Sequence, residues 1–220
     1  MNFEPAAWAQ EWMLNGAQAI ALVVIATGLA QTAFYIVQLV FAAIALSGRP
    51  PVPRGATLWR RYADQAPPIA VLAPAYNEEL SVVESVRSLL ALHYPDFEVL
   101  LINDGSSDGT LARVIDAFGL SRVDRYIDRA VEHAPIRGLY ASPAYPRLLV
   151  INKENGGKAD ALNAGINAAR SELFCAIDAD SILEPDALLR VVRPFVDDPD
   201  LTIAAGGTIR IANGCSIDAG

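Results

Sequence analysis

The chain has 220 residues, enough for one domain of ordinary size and an additional segment. Its formal net charge is −8, and beyond the first 48 residues 17 basic residues stand against 23 acidic ones. This net charge of −6 argues against nucleic acid as the main partner, because phosphate binding needs a basic face. With 53% hydrophobic and 19% charged residues, the composition also excludes an intrinsically disordered chain.

Hydrophobic residues are concentrated near the N-terminus, where Trp12–Gly48 contains no charged residue. The apolar run Ala17–Leu46 would form roughly 45 Å of helix, more than the hydrocarbon core of about 30 Å. A cleavable signal peptide is the alternative, because Ala43-Ile44-Ala45 has suitably spaced small residues. The start lacks a basic region, however, and the apolar run is too long. We therefore predict a lead-in over residues 1–16 and an uncleaved transmembrane helix over residues 17–48.

The charges that flank this run predict its orientation. Acidic residues precede it and arginines follow it: Glu4 and Glu11, then Arg49, Arg54, Arg60 and Arg61. The positive-inside rule places the N-terminus outside the cell membrane and the rest of the chain in the cytoplasm, after a proline-containing linker over residues 49–68. Gln31 and Gln38 share a helix face, which predicts contacts with membrane partner subunits.

Beyond residue 68, short apolar runs alternate with amphipathic segments. The predicted strands are Ile69–Ala73, Phe97–Ile102, Arg147–Ile151, Leu173–Ile177 and Leu201–Ile211, and the predicted helices are Glu78–Leu92, Asp108–Phe118, Gly157–Arg170 and Pro185–Val196. This alternation indicates an α/β domain whose mainly parallel sheet is covered on both faces. Leu120–Pro146 is too long for a plain connection, so we predict a surface insertion there.

Ligands of such sheets bind outside the carboxyl ends of the strands, where four polar loops of this chain converge. Asp178 and Asp180 follow one strand, and two carboxylates this close favour a hard divalent cation between them. The alternative is that Asp180 or Ser181 only caps a turn or the next helix.

Two further loops carry candidate groups. Asp108 suits the N-cap of the second helix, whereas Asp104 is free to accept hydrogen bonds from an imide N–H or a ribose hydroxyl. Gly156-Gly157-Lys158 opens the third helix, where free N–H groups and a lysine favour phosphate oxygens. The alternative is a solvated helix start.

Four motifs occur in one order along the chain. They read Pro74-Ala75-Tyr76-Asn77-Glu78, Asn103-Asp104-Gly105-Ser106, Gly157-Lys158-Ala159-Asp160-Ala161-Leu162-Asn163 and Asp178-Ala179-Asp180. Over residues 69–214 they resemble the motifs of family 2 glycosyltransferases with the GT-A fold, in particular the membrane polysaccharide synthases and their poly-N-acetylglucosamine branch. The resemblance implies that residues 69–220 form the nucleotide-binding half of a Rossmann-like GT-A domain, incomplete at its C-terminus.

The resemblance implies a role for each matching residue of the nucleotide site. Pro74, Tyr76 and Glu78 would line the uridine site, and Asp104 would read the uracil. Lys158 would lie near the diphosphate. Where the chain has Asn103, many members of the family have aspartate.

For the metal site, the resemblance implies that Asp178 lies close to the donor sugar and that Asp178 and Asp180 hold Mg²⁺ or Mn²⁺. The implied reaction transfers a sugar, N-acetylglucosamine from its UDP form, to a growing polysaccharide or lipid acceptor with inversion. The family's catalytic base, an aspartate in a Thr-Glu-Asp-like motif, would follow Gly220. The catalytic residue is therefore unknown, and we expect an N-terminal fragment that is inactive alone.

Two other functions remain open from the sequence. An enzyme of the same fold could glycosylate a polyprenyl phosphate, although the N-terminal span and the long insertion count against it. A non-catalytic, membrane-anchored protein could bind a nucleotide-sugar and report to a partner.

Overall fold

The computed structural model describes residues 7–47, 55–178, 181 and 183–207. The chain divides into two units, Met1–Val52 and Pro53–Gly220, which we describe separately. The first unit is the helix α1, Ala7–Ser47, and its stretch Trp12–Ala45 is long and apolar enough to cross a membrane. Gln31 Nε2 donates to the Tyr35 hydroxyl at 3.2 Å, so this amide has a partner within its own helix.

The second unit is an α/β domain. Its elements are α2 Gly55–Tyr62, a 3₁₀ turn Ala63–Gln65, β1 Ile69–Ala75, α3 Val82–Leu90, β2 Phe97–Asp104, α4 Thr110–Phe118, β3 Ser121–Val123, β4 Ile136–Ala141, β5 Leu148–Lys153, α5 Lys158–Ala168, β6 Leu173–Ala176 and α6 Ala187–Asp197. The sheet has the order β3-β4-β5-β2-β1-β6. Strands β6, β1, β2 and β5 are parallel to one another. Strand β4 pairs antiparallel with both β5 and β3. The predicted mainly parallel α/β fold is confirmed.

Alternate residues of the central strands enter two hydrophobic clusters, one on each face of the sheet. Val71 of β1 packs on the face covered by α2, α3, α4 and α6, whereas Leu72 packs on the α5 face. This alternation follows from the two-residue period of the pleat. Burial on both faces explains why these strands read as continuous apolar runs.

Part of the predicted linker over residues 49–68 is folded. Helix α2 buries Leu58 and Tyr62 in the same cluster as β1, and the Tyr62 hydroxyl donates to Asp197 Oδ2 at 3.2 Å. The linker prediction is therefore wrong for α2, because two apolar side chains one helical turn apart give this short helix a buried face.

The predicted insertion over Leu120–Pro146 also differs from the structure. It contributes β3 and β4, which extend the sheet beyond β5, with Leu139 buried in the α5-side cluster. Between these strands, the chain docks on α5. The Asn167 side chain accepts a hydrogen bond from the Val131 amide at 3.0 Å and donates one to the Val131 carbonyl at 2.6 Å.

Two further predicted elements differ from the structure. Helix α3 begins at Val82 rather than Glu78, and residues 79–81 form a turn. The Glu78 amide before this turn donates to Thr110 Oγ1 at 2.8 Å. The predicted strand Leu201–Ile211 is wrong for residues 201–207, which form a turn and irregular chain, and residues 208–211 lie outside the described part.

Candidate functional site

The carboxyl ends of the four parallel strands lie side by side at one edge of the sheet. Ala75 pairs with Asn103, and Asp104 pairs with Lys153, so the last residues of β1, β2 and β5 are neighbours. The polar loops predicted to converge therefore do so in the structure. This edge is the position where parallel α/β sheets bind ligands.

The loops after β1 and β2 are held together by side chains. Asn77, which has a positive φ of 57°, donates its amide to Ser106 Oγ at 3.0 Å and accepts from the Ser107 amide at 2.9 Å. Asparagine tolerates this left-handed conformation better than most residues. These two hydrogen bonds between Asn77 and the β2 loop fix the direction in which the chain leaves β1.

A second contact joins the same two loops through carboxylates. Glu79 accepts from the Gly109 amide at 3.1 Å, and Asp108 accepts from the Glu79 amide at 3.2 Å. Asp108 also accepts hydrogen bonds from the hydroxyl and the backbone amide of Thr110. These bonds lower the pKa of the Asp108 carboxyl, and the bond from the hydroxyl contributes most. Gly109, not Asp108, is the N-cap of α4, so the predicted cap is displaced by one residue.

The predicted uridine-site residues lie on β1 and the loop after it. Tyr76 is 53% exposed, so its ring is accessible to a ligand. Pro74 is half-buried within β1, and Glu78 accepts from the Ser81 hydroxyl at 2.6 Å. Their role in binding uridine stays a prediction.

Asp104 is buried, and its carboxylate already has three donors. Lys153 Nζ lies 2.6 Å from Oδ1, the Gly156 amide lies 3.0 Å from Oδ1, and the Gly157 amide lies 2.8 Å from Oδ2. A carboxylate offers about four acceptor positions. Reading of the uracil by Asp104 stays a prediction, and it would have to use the remaining position on Oδ2.

The same contacts correct the prediction that the amides of Gly156 and Gly157 are free for phosphate. Both donate to Asp104, which lies on the neighbouring strand β2 and cannot be associated with this turn from local sequence. Gly157, the N-cap of α5, has a φ of +87°, a conformation that suits glycine. Asp104 therefore organises the turn that precedes Lys158.

Lys153 is the functional-site residue that the sequence interpretation missed. Its side chain is fully buried, and Nζ contacts Asp104 Oδ1 at 2.6 Å, Asp160 Oδ1 at 2.5 Å and the Glu154 carbonyl at 2.6 Å. Lysine is almost never fully buried unless it is paired. A signal was available: the chain contains only two lysines, Lys153 and Lys158, and both flank the same glycine turn.

Asp160 connects this ion cluster to the inserted segment. Its Oδ2 accepts from the Ala134 amide at 2.9 Å, while Oδ1 pairs with Lys153. Partial desolvation opposes ionisation, but the hydrogen bonds from Lys153 and the Ala134 amide outweigh it and lower the pKa of the Asp160 carboxyl. The ionised carboxylate thus holds β5, α5 and the inserted segment together.

Lys158 and Asp178 form an ion pair at the surface of this edge. Lys158 is the first residue of α5, Asp178 follows β6, and Lys158 Nζ contacts Asp178 Oδ1. Both side chains are more than half exposed, so both are accessible to a ligand. The structure thereby brings together two predicted site residues from separate loops.

The predicted metal pair is only partly described, because Asp180 lies outside the described residues. Within the described ranges, no three His, Cys, Asp or Glu side chains are grouped so that they could hold a metal ion. Mg²⁺ needs only one or two carboxylates when it also keeps waters and binds substrate phosphates. The accessible carboxylate of Asp178 fits such a site, and metal ligation stays a prediction.

Comparison with known proteins bears on the family of this chain. The profile of the family described as "Glycosyl transferase family 2" matches residues 70–214. A poly-beta-1,6-N-acetyl-D-glucosamine synthase of Staphylococcus epidermidis is 34% identical over 149 residues, which cover 68% of this chain and 30% of that protein. The synthase of the same name from Staphylococcus aureus (strain COL) is 32% identical over 154 residues, which cover 70% of this chain and 31% of that protein.

Two of the solved structures that are similar to this chain contain a nucleotide-sugar. The mannosyltransferase PcManGT of Pyrobaculum calidifontis, in complex with GDP-Man and Mn²⁺, is 24% identical with a TM-score of 0.46, and the match covers 66% of this chain and 39% of that one. S. aureus TarS 1-349 in complex with UDP-GlcNAc is 22% identical with a TM-score of 0.42, and the match covers 59% of this chain and 31% of that one.

The chain spans about 30% of the length of the curated relatives that it matches. The family profile, however, extends over most of the α/β domain and includes all four motif loops at the carboxyl edge. This chain belongs to glycosyl transferase family 2.

Proposed function

We propose that the complete protein transfers N-acetylglucosamine from its UDP derivative to a growing polysaccharide, with inversion, at the cytoplasmic face of the cell membrane. The synthases that share 32–34% identity with this chain support the choice of donor and product. The membrane location is supported by α1, which is long and apolar enough to span a bilayer. Its orientation rests on the arginines that follow it.

One observation supports the donor site more than any other, the contact between Lys158 and Asp178. A cation and a carboxylate from two loops meet at the carboxyl edge, and both are accessible. A diphosphate that entered here would displace the carboxylate from Lys158, because an ammonium group and phosphate oxygens form charge-assisted hydrogen bonds. Asp178 would then be released to face the metal and the donor sugar.

Asp178 and Asp180 are the residues that would hold the divalent cation, Mg²⁺ or Mn²⁺. When bound, such a cation supplies Lewis-acid stabilisation of the negative charge on the departing diphosphate. Lys158 adds a second positive charge to the same leaving group. The uridine would lie beside Tyr76, Pro74 and Glu78. Asn77 joins the loop after β1 to the loop after β2 by two hydrogen bonds.

Asp104 and Lys153 would position the backbone of the donor site. Asp104 holds the amides of Gly156 and Gly157, and the next residue along the chain is Lys158. This arrangement fixes the backbone from which the Lys158 side chain extends.

The donor site is tested by titrating UDP and Mn²⁺ into the full chain in detergent and measuring the heat of binding. Removal of one charged hydrogen-bonding partner should weaken binding by about 10- to 100-fold. We expect this loss in Lys158→Gln and in Asp180→Ala, and a comparable loss when Mn²⁺ is replaced by a chelator.

Asp116→Asn is the matched control, because Asp116 is an exposed carboxylate on α4 and makes no ion pair within the described part of the chain. It should bind UDP as the unchanged chain does. Equal UDP affinity in Asp180→Ala and the unchanged chain, with circular dichroism showing both folded, would contradict the metal assignment.

The product is tested with the complete protein in membranes and radiolabelled UDP-N-acetylglucosamine. The proposal expects label in a high-molecular-weight polymer. Label that partitions into the organic phase would identify a polyprenyl-phosphate glycosyltransferase instead. No turnover despite UDP binding would favour the non-catalytic, membrane-anchored binding protein.

A further inference from the structure

Two adjacent cavities lie beside the strands that the inserted segment adds to the sheet. Their volumes are about 410 Å³ and about 280 Å³, and Val123, Asp124 and Arg125 line both. We call the two cavities together the arginine groove, because they are lined by Arg122, Arg125, Arg137, Arg147 and Arg170. Within the described part of the chain, none of the predicted donor-site residues lines either cavity.

The groove has the opposite charge to the rest of the chain. Among the described residues that line it are five arginines and two carboxylates, Asp124 and Glu98, whereas the chain as a whole has a net charge of −8. Within the described residues, Arg137 is the only one of the five whose guanidinium group forms an ion pair, with the exposed Glu154 at 3.7 Å. Glu98 accepts from the backbone amide of Arg170 at 2.6 Å, and the other four guanidinium groups form no ion pair in the described part of the chain.

Backbone carbonyls hold three of these guanidinium groups in place. Arg122 Nη2 donates to the Arg137 carbonyl at 3.1 Å, Arg125 Nη2 to the Ala168 carbonyl at 2.6 Å, and Arg147 Nη2 to the Pro95 carbonyl at 3.3 Å. A carbonyl occupies one N–H and neutralises no charge. Since each guanidinium group has five N–H donors, most donors in the groove stay available to a ligand.

The arginines also repel one another. Burial lowers the pKa of the Arg125 guanidinium group, and the neighbouring positive charge of Arg170 lowers it further by a smaller amount. The negative charge of Glu98 raises this pKa but offsets the lowering only in part. Grouping like charges in this way is unfavourable unless an anion binds among them. The planar fork of arginine matches phosphate oxygens in pairs, which makes a phosphate group the best chemical complement.

We propose that the arginine groove binds a phosphate group, carried either by an anionic lipid headgroup or by a soluble phosphate ester. The larger cavity falls in the range of about 300–1,000 Å³ that is typical of small-molecule sites, so it has room for more than an inorganic ion. Tyr126, which lines it and is 89% exposed, offers an aromatic surface to the rest of the ligand.

The test uses the full chain in a nonionic detergent with a chelator present, so that the metal-dependent donor site does not contribute. Two probes are compared by microscale thermophoresis: inorganic pyrophosphate, and phosphatidylglycerol added to the micelles against phosphatidylcholine. The groove variant is Arg122→Gln/Arg137→Gln, chosen because both side chains are exposed. We expect it to bind the relevant probe at least tenfold more weakly.

Arg87→Gln/Arg113→Gln is the matched control, because it removes the same charge from exposed positions on α3 and α4. Arg170→Gln, which alters only the smaller cavity, is the second variant if the first does not fold. Weakened pyrophosphate binding would identify a soluble ligand, and weakened phosphatidylglycerol binding alone would identify a lipid. Equal binding of both probes by the groove variant and the control, or binding of neither probe, would overturn the proposal.

Discussion

Lys153 Nζ lies 2.6 Å from Asp104 Oδ1, and neither side chain is more than 5% exposed. A buried charge is tolerated only when it is paired and hydrogen-bonded, and here a second carboxylate, Asp160, completes the cluster. The cluster joins the ends of β2 and β5 to the start of α5. It is therefore the structural centre of the proposed donor site.

Replacing Lys153 with methionine should strongly destabilise the α/β domain. The change would leave the buried carboxylate of Asp104 and the half-buried carboxylate of Asp160 without a cation, and the loss of a buried partner typically costs about 3–5 kcal/mol. Chemical unfolding of the detergent-solubilised chain, followed by circular dichroism, measures the difference in free energy of unfolding.

The triple variant Lys153→Met/Asp104→Asn/Asp160→Asn is the control for this prediction. It removes the unpaired charges, so it should recover part of the lost stability. A loss below about 1 kcal/mol in Lys153→Met alone would contradict the importance of the ion cluster.

Asp160 should make the stability of the domain depend on pH in the acidic range. Its pKa is lower in the folded chain than the ordinary value of 3.8, so its stabilising contribution is present above that value. The contribution is lost as pH falls through the lowered folded pKa. The difference in free energy of unfolding between the unchanged chain and Asp160→Asn should therefore shrink as pH falls below about 4.

Asn167→Ala is the matched control for this pH dependence. It removes another contact between α5 and the inserted segment, the two hydrogen bonds to Val131, without removing a titratable group. Its effect on stability should stay constant over the same pH range. A difference for Asp160→Asn that is also constant would refute the prediction.

Gly105 should not tolerate alanine. Its φ is +68°, and a Cβ atom would lie 2.6 Å from the backbone nitrogen of Asn155. The positive φ alone costs about 1–2 kcal/mol, and the steric clash adds to it by pushing apart the loops after β2 and β5. Gly105→Ala should therefore lower both the free energy of unfolding and the affinity for UDP.

Gly119→Ala separates the two effects, because Gly119 has a similar φ of +58° and no atom of the described residues lies within 4 Å of the added Cβ. Thermal unfolding of both variants gives the comparison. We expect Gly119→Ala to lose only the backbone contribution and to keep its UDP affinity. Equal losses in the two variants would mean that Asn155 moves aside without consequence.

Leu58 tests whether α2 belongs to the folded domain. The side chain is 1% exposed and lies in the core cluster, so Leu58→Ala should cost about 2–5 kcal/mol in the free energy of unfolding. Thr57→Ala, an exposed change in the same helix, should stay within about 0.5 kcal/mol. If Leu58→Ala were equally mild, residues 55–62 would be a linker after all.

Several elements could be predicted from the sequence because their signals are local. Strands β1 and β2 begin at Ile69 and Phe97 as predicted, since both lie in apolar runs bounded by proline or charged residues. The long apolar run likewise predicts α1 without any tertiary information. The positions of Lys158 and Asp178 at the carboxyl edge follow from strand order along the chain.

Other elements could not be predicted because distant partners decide them. Strands β3 and β4 are short, and only pairing with β5 and the burial of Leu139 make them part of the sheet. The Glu78 amide before α3 bonds to Thr110, which lies 32 residues further along the chain. Contacts between residues so far apart in the chain cannot be seen in a short stretch of sequence.

By itself, the sequence determined the apolar helix, the alternation of strands and helices, and the edge at which the polar loops gather. These features follow from hydrophobic periodicity, which every short segment carries on its own. Only the tertiary structure decided that Lys153 is buried between Asp104 and Asp160, and that Asp104 holds the Gly156–Gly157 turn. The physical reason is that a lysine in an isolated segment prefers water, and only a fold that brings two carboxylates to it makes its burial favourable.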